Sequence, residues 1–164
     1  MQTRHLTWCF FFISLLALAI GCSPPARNRP AGNPLIPPAE APVRIEIINE
    51  QYPGRSVDPS QHVSMGKHTI FEFYSDNCVP STQMLPLLEK LTQVRRDLAV
   101  KRININRPGE SGIDFASPAA RDNDVHLVPY FKIYDPQGRF LSQDAKAKAQ
   151  VKAWMQDAGI VRRD

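Results

Sequence analysis

Residues 69–81 read TIFEFYSDNCVPS, and this stretch decides how the chain should fold. Its first half is rich in β-branched and aromatic residues and contains one carboxylate, Glu72, a composition typical of a strand covered on both faces. After Cys78, residues 81–94 place their apolar side chains at helical spacing. The stretch therefore predicts a central strand over residues 68–74 that leads through a short turn into a helix.

Cys78 stands close to the start of this predicted helix. A thiol in that position is near unpaired backbone N–H groups and the positive end of the helix dipole. Both favour the thiolate, which is the species that attacks disulfides. A second interpretation stays open, because a free cysteine is also often buried as a small apolar residue.

The N-terminus has the pattern of a secretory signal. Arg4 and His5 come first, and residues 6–20 then run mostly apolar without a charge. The run is shorter than the roughly 20 residues of a membrane-spanning helix. It ends in Ala-Ile-Gly-Cys at residues 19–22, which resembles a bacterial lipoprotein processing site. We therefore expect cleavage before Cys22 and lipidation of its thiol; an ordinary signal with an incidental cysteine, or an uncleaved anchor, is the alternative.

A proline-rich segment follows the cysteine. Seven of the twenty residues from 23 to 42 are proline, so the segment cannot bury a core and favours an extended conformation. We interpret it as a tether, with a proline-rich ligand for a partner as the alternative. The chain thus divides into a signal peptide (1–21), a lipidated cysteine with its tether (22–42) and a folded domain (43–164).

Charge and histidine spacing exclude two classes of function. The formal net charge is +4, but the basic residues are dispersed and form no stripe interleaved with aromatic residues, so we expect no nucleic-acid partner. His62, His68 and His126 lack metal-ligand spacing, and after cleavage only Cys78 remains to join them. We expect no metal and no cofactor, and a single thiol allows no intramolecular disulfide.

The folded domain alternates strand and helix patterns. We expect helices on both faces of a mixed α/β sheet that ends in an antiparallel hairpin. The predicted strands cover residues 43–49, 68–74, 98–105, 130–134 and 139–142, and the predicted helices cover 81–94, 117–123 and 145–158.

Five features in order resemble the thioredoxin family over about residues 65–158. They are the strand and turn at 71–78, Pro80, Pro86 inside the helix, the loop at 128–130 and the hairpin turn at 135–138. The resemblance implies a thioredoxin-like fold. It also implies that Val128, Pro129 and Tyr130 form a cis-proline loop, which lies against the reactive cysteine and binds the substrate chain.

Two charged residues extend the resemblance. Glu72 stands where the family carries a buried acid that assists proton transfer, and Arg102 is near the position of a lysine that neighbours that acid. A carboxylate in an apolar strand is costly to bury unless it is paired. The alternative is therefore a Glu72 at the rim of the sheet, satisfied by Arg102 or by water.

The departures from the family matter for mechanism. Ser81 replaces the second, resolving cysteine, Val79 replaces a glycine, and Asn77 replaces the usual tryptophan. The segment from 105 to 117 is also longer than the family's connection. Cys78 would still form a mixed disulfide, but its release would need an external thiol. Ser81 can offer a hydrogen bond to the thiolate and cannot resolve the adduct.

The sequence therefore predicts a lipid-anchored protein of the bacterial cell envelope, facing outside the cytoplasm. It would perform monothiol thiol–disulfide exchange through Cys78 with client proteins or small-molecule disulfides, as a monothiol oxidoreductase if it is an enzyme. A non-catalytic binding module and a structural lipoprotein are the alternatives. His126 either approaches Cys78 from the loop or is an exposed loop histidine.

Overall fold

The computed structural model describes residues 45–162. The predicted signal peptide, the predicted lipidation site Cys22 and the predicted tether lie outside the described residues, as do the first two residues of the predicted first strand. Within residues 45–162, no helix has the length and apolar character needed to cross a membrane.

Five strands form one sheet in the order β1-β3-β2-β4-β5. Strands β1, β3 and β2 run parallel to one another, while β4 is antiparallel to β2 and β5 is antiparallel to β4. This confirms the predicted mixed sheet with its terminal hairpin. The strands are β1 Glu46–Ile47, β2 His68–Tyr74, β3 Leu98–Asn104, β4 Tyr130–Tyr134 and β5 Phe140–Gln143; the helices are α1 Val79–Val94, α2 Pro118–Arg121 and α3 Asp144–Asp157, with a short 3-10 helix at Pro59–His62.

Strand β2 lies at the centre of the sheet and its side chains alternate between two cores. Ile70 packs with the cluster that includes Leu88 of α1 and Val151 of α3. Phe71 and Phe73 pack into the other cluster, which includes the two buried alanines of α2. The predicted arrangement of helices on both faces is therefore confirmed, and β2 is a fully covered strand.

Strand β1 is shorter than predicted because side chains take over its hydrogen bonding. After Ile47 the chain turns, and Asn49 Nδ2 donates to Asn104 O at 2.8 Å. Asn104 N in turn donates to Asn49 Oδ1 at 2.9 Å. The Asn49 side chain therefore replaces two bonds of the strand ladder, and β1 ends within the predicted span.

Helix α1 begins two residues earlier than predicted, at Val79, with Cys78 as its N-cap residue. Pro80 fits in the first turn because the N–H that it lacks would have no partner within the helix. Pro86 lies inside α1, and the helix continues past it to Val94. The thiol therefore sits directly at the helix start.

Candidate active site

The backbone before α1 sets the position of Cys78. Asn77 N donates to Ser75 Oγ and Cys78 N donates to Ser75 O, both at 3.1 Å, forming a tight turn at the end of β2. Thr82 N then donates to Cys78 O at 3.1 Å, which begins the helix. The Cys78 side chain makes no capping bond to the helix, so its sulfur is not used in stabilising α1.

The sulfur faces the loop that the thioredoxin resemblance indicated. Cys78 Sγ lies 3.5 Å from Val128 O, to which the thiol donates. The peptide bond between Val128 and Pro129 is cis. Cys78 is only 7% exposed, whereas the neighbouring Val79 is 65% exposed. The structure thus brings Cys78, Val128 and Pro129 together at the edge of the protein surface.

Ser81 points into the protein beneath this turn and is fully buried. Within the described residues its hydroxyl makes no hydrogen bond, either to Cys78 or to any other group. Its carbonyl accepts from Arg102 Nη2 at 3.5 Å. The contact that Ser81 makes is therefore with the buried Arg102, through its backbone carbonyl.

Those buried charges are Glu72 and Arg102, on the adjacent strands β2 and β3. Arg102 Nε donates to Glu72 Oε2 at 2.6 Å, and the guanidinium carbon lies 3.6 Å from the centre of the Tyr74 ring. Burial raises the pKa of Glu72 from 4.5 to about 7, against the opposing effect of Arg102. Glu72 is fully buried in the central strand, so a position at the sheet rim is wrong, whereas its pairing with Arg102 is confirmed.

One side of Cys78 is bounded by the long segment between β3 and α2. Asn77 Nδ2 donates to Gly112 O at 2.8 Å and to Glu110 O at 3.2 Å. The segment is closed by Arg107, whose Nε donates to Asp114 Oδ2 at 2.6 Å; this hydrogen bond is the main cause of the lowered pKa of Asp114. Asn77 thus anchors the segment next to the residue that carries the thiol.

A small cavity of about 330 Å³ is lined in part by residues that adjoin the cis Val128-Pro129 bond. Its lining residues come from the cis-proline loop and from the end of the β4–β5 hairpin: Asp124, His126, Leu127, Tyr130, Gln143 and Asp144. His126 is exposed, in agreement with the interpretation as a loop histidine. The two aspartates were missed by sequence reasoning, because nothing in the local patterns around them indicates that they meet.

The groups of the candidate site are suited to thiol chemistry. Across residues 45–162 there is no group of three or more His, Cys, Asp or Glu side chains that could hold a metal ion. Cys78 is the free cysteine of this part of the chain. The groups available for chemistry are therefore one thiol, the backbone of the loop opposite and the buried ion pair below.

Several solved structures are similar to this chain, although no family model and no curated protein matches it. A thioredoxin of Plasmodium falciparum shares 15% identity at a TM-score of 0.47, covering 70% of this chain and 99% of its own. Thioredoxin f2 of Chlamydomonas reinhardtii shares 18% at 0.43, covering 66% and 98%. Mitochondrial thioredoxin 3 of Saccharomyces cerevisiae shares 21% at 0.41, covering 60% and 85%. At such low scores we infer function from this chain's own residues and their geometry.

Proposed function

We propose that this protein is a thioredoxin-like lipoprotein of the bacterial envelope that performs monothiol thiol–disulfide exchange through Cys78. The observation that carries the proposal is the position of Cys78 Sγ at the start of α1, 3.5 Å from Val128 O beside the cis Pro129. A client chain bound along this loop would have its disulfide next to the sulfur.

The first step is attack by the Cys78 thiolate on one sulfur of a client disulfide. A bond forms between Cys78 Sγ and that sulfur, the client disulfide breaks, and the second client sulfur leaves as a thiolate. The number of disulfide bonds does not change, so no separate oxidant or reductant is consumed. The helix dipole and the free N–H groups at the start of α1 favour the attacking anion.

The second step requires a thiol from outside this domain. Ser81 stands three residues after Cys78, and its hydroxyl cannot displace a sulfur. An external thiolate attacks the client sulfur of the mixed disulfide and releases Cys78, forming a new disulfide between the client and the attacking thiol. We therefore expect the mixed disulfide to persist until such a thiol is supplied.

The exchange reaction is tested by treating the purified protein with glutathione disulfide and recording its intact mass. We expect one glutathione adduct on the wild-type protein, released on addition of a second thiol. Cys78→Ser should form none, and Ser142→Ala, at a buried serine in β5, serves as the matched control with the thiol intact. Failure of the wild-type protein to form an adduct with any disulfide would overturn the proposal.

The binding-module alternative has one observation in its favour, the 7% exposure of Cys78. On that alternative the loop opposite Cys78 holds a partner without covalent chemistry. Capture of the same partner by the wild-type protein and by Cys78→Ser would favour it, whereas capture that needs Cys78 and is reversed by a reducing agent favours exchange.

Anchoring is tested separately, with the full chain expressed in bacteria that are fed a labelled fatty acid. We expect the label on the wild-type protein and on Cys9→Ser, since Cys9 lies within the part removed by cleavage. Cys22→Ser should carry no label, because it lacks the thiol that we propose to be lipidated. Equal labelling of both variants would contradict the lipoprotein assignment without affecting the chemistry of Cys78.

A further inference from the structure

An apolar groove lies between helices α1 and α3, on the face of the sheet opposite α2. Its volume of about 640 Å³ is within the range of about 300–1,000 Å³ that is typical of small-ligand sites. The buried side chains of Phe131, Val151 and Met155 line it, and all three belong to the hydrophobic core on this face. The groove therefore opens directly onto the core, as ligand-binding grooves commonly do.

Two alanines keep the groove open along α3. Ala145 and Ala149 are exposed, and both line the groove. They stand four residues apart in α3, so they lie on the same side of the helix. A larger side chain at either position would project into the space, and the groove therefore depends on small residues at this part of the helix surface.

The chain that follows α3 turns back to the groove. Gly159 has a φ of 69°, which ends the helix, and Ile160 N and Val161 N both donate to Met155 O, at 2.8 and 3.4 Å. Val161 and Arg162 line the groove as a result. Its lining thus combines one side of α1, one side of α3 and this turn.

The charged residues that line the groove within the described part of the chain are all basic. They are Lys148, Lys152 and Arg162. Lys148 and Lys152 are four residues apart and share one side of α3. Among residues 45–162, neither Lys148 nor Arg162 forms an ion pair. An anionic group at the edge of the groove would therefore have cationic donors close by.

The hydrogen-bonding groups of the lining favour one class of ligand. Lysine and arginine side chains donate hydrogen bonds and accept none, the other lining side chains are apolar, and a helix uses its own carbonyls internally. An extended peptide in the groove would bury N–H groups without an oxygen to accept from them, which is costly. A fatty acyl chain has no donors, and its carboxylate only accepts.

We propose that this groove binds one unesterified long-chain fatty acid, with its acyl chain between α1 and α3 and its carboxylate beside Lys148, Lys152 and Arg162. Burial of the acyl chain supplies most of the affinity, and the three cations select the anionic head group. The inference does not depend on thiol exchange, because none of the residues that line the groove belongs to the Cys78 site.

The test is an NMR titration of the protein labelled with carbon-13 at its methionine methyl groups. Met84 and Met155 line the groove, whereas Met65 is 70% exposed and lies outside it, so Met65 is an internal control. The ligands are straight-chain carboxylates from octanoate to tetradecanoate, each kept below its micelle concentration. We expect the Met84 and Met155 signals to shift while Met65 does not, and Kd to fall about tenfold for each two added carbons until the groove is filled.

The contribution of the carboxylate is measured by comparing octanoate with octan-1-ol. We expect octanoate to bind about fivefold more tightly, as for an ion pair at a partly exposed site, and the preference to fall as salt is added. Lys148→Gln with Arg162→Gln should reduce the preference to below about twofold. Lys90→Gln with Lys146→Gln, at exposed lysines outside the groove, is the matched control and should keep it.

The variant that blocks the groove is Ala149→Phe, which adds a large side chain at an exposed position of α3. We expect it to abolish the shifts of Met84 and Met155 on titration. Gln150→Phe adds the same side chain at the next exposed position, outside the groove, and should leave them unchanged. If Ala149→Phe does not fold, Ala145→Phe is the second blocking variant.

The assignment would be overturned if the carboxylates leave Met84 and Met155 unshifted, or bind the blocked variant as tightly as the wild type. Equal shifts at Met65 would also reject it, because they indicate non-specific adsorption, and equal binding of octanoate and octan-1-ol would reject the carboxylate. A response to an acidic amphipathic peptide or to phosphatidylglycerol vesicles, with none to free fatty carboxylates, would show that the groove has a different occupant. Each of these results leaves the exchange reaction standing, since that is measured with glutathione disulfide.

Discussion

Helices α1 and α2 begin with nearly the same residue pattern, but their N-cap side chains make different contacts. Both follow an extended N-cap residue and carry a proline in their first turn. At α2 the hydroxyl of Ser117 accepts from Ala120 N at 3.2 Å. At α1 the corresponding residue is Cys78, which makes no such bond and turns its sulfur to Val128 O. One helix start uses its N-cap side chain to bond the helix, and the other directs its N-cap side chain to the cis-proline loop.

The residues buried beneath the two helix starts also differ, being apolar at α2 and polar at α1. The first turn of α2 buries Ala119 and Ala120 in an apolar cluster. The first turn of α1 buries Ser81 over the Glu72–Arg102 pair, where the Ser81 hydroxyl and Glu72 Oε1 have no hydrogen-bond partner within residues 45–162. The start of α1 therefore stands over buried polar groups, whereas the start of α2 stands over an apolar cluster.

The substitution with the largest expected effect is Ser81→Cys, which adds a resolving thiol at the start of α1. The two thiols would lie at the spacing of the dithiol motif, and an intramolecular thiol acts at a far higher effective concentration than millimolar external thiol. We expect release of the glutathione adduct to become at least about 100-fold faster, as measured by stopped-flow and intact mass. The product should be a disulfide between Cys78 and the introduced cysteine.

Gln83→Cys is the control for this added thiol. Residue 83 is exposed and lies about 200° around the helix from residue 81. Its thiol should not speed release of the adduct. Equal acceleration by both variants would mean that any nearby thiol suffices and that the position of Ser81 has no special role.

A second change, Glu72→Gln, removes the buried carboxylate beneath α1. The pKa of Glu72 is higher in the folded protein than its ordinary value, so its contribution to stability is complete below about pH 4.5 and is lost as the pH rises through about 7. We expect the free energy of unfolding of the wild-type protein to fall by up to about 3 kcal/mol over this range, relative to the variant.

The measurement is urea unfolding of both proteins at several pH values between about pH 4 and pH 8. Subtracting the free energy of unfolding of the variant from that of the wild type removes the contributions of other titrating groups. Glutamine keeps an oxygen for the bond from Arg102 Nε, and the variant should be at least as stable as the wild type at the upper end of this range. A variant that is much less stable throughout would show that attraction to Arg102 outweighs the cost of burying Glu72.

The smallest change is Ser117→Ala, which removes the cap of α2. We expect a loss of about 1 kcal/mol in the free energy of unfolding, the usual effect of deleting a serine cap. The rate of adduct formation at Cys78 should stay within a factor of about two, because the cap of α2 serves stability alone. A large loss of thiol reactivity would show that the two helix starts are coupled.

Much of the fold could be predicted because its signals are local. Strand β2 and strand β4 have the predicted bounds, and Ser117 followed by proline begins a helix as expected. The bounds of β1 could not be predicted, since the bonds that end it come from Asn49 to a strand 55 residues away. The sequence predicts the start of α1 two residues too late, because Val79 and Pro80 carry no apolar periodicity.

The candidate site was likewise predictable only in part. The sequence pattern around Cys78 and the resemblance at Val128 and Pro129 indicated two parts of one site, and the structure brings them together. The role of Asn77 in holding the long segment was not predictable, since its bonds go to backbone carbonyls 33 and 35 residues further along the chain. A carbonyl has the same chemistry at every residue, so no residue type marks such a partner.

By itself the sequence determined that Cys78 is the one cysteine between residues 45 and 162, that it stands near a helix start, that Ser81 stands three residues later in place of a second cysteine, and that strands and helices alternate. These follow from residue identity and from periods of about two and 3.6 residues, which act over short spans of chain. Only the tertiary structure decided that Glu72 is fully buried and that Asp124 and Asp144 meet at one cavity. Burial and convergence depend on strands and loops far apart in the chain, and on backbone angles that residue type alone does not specify.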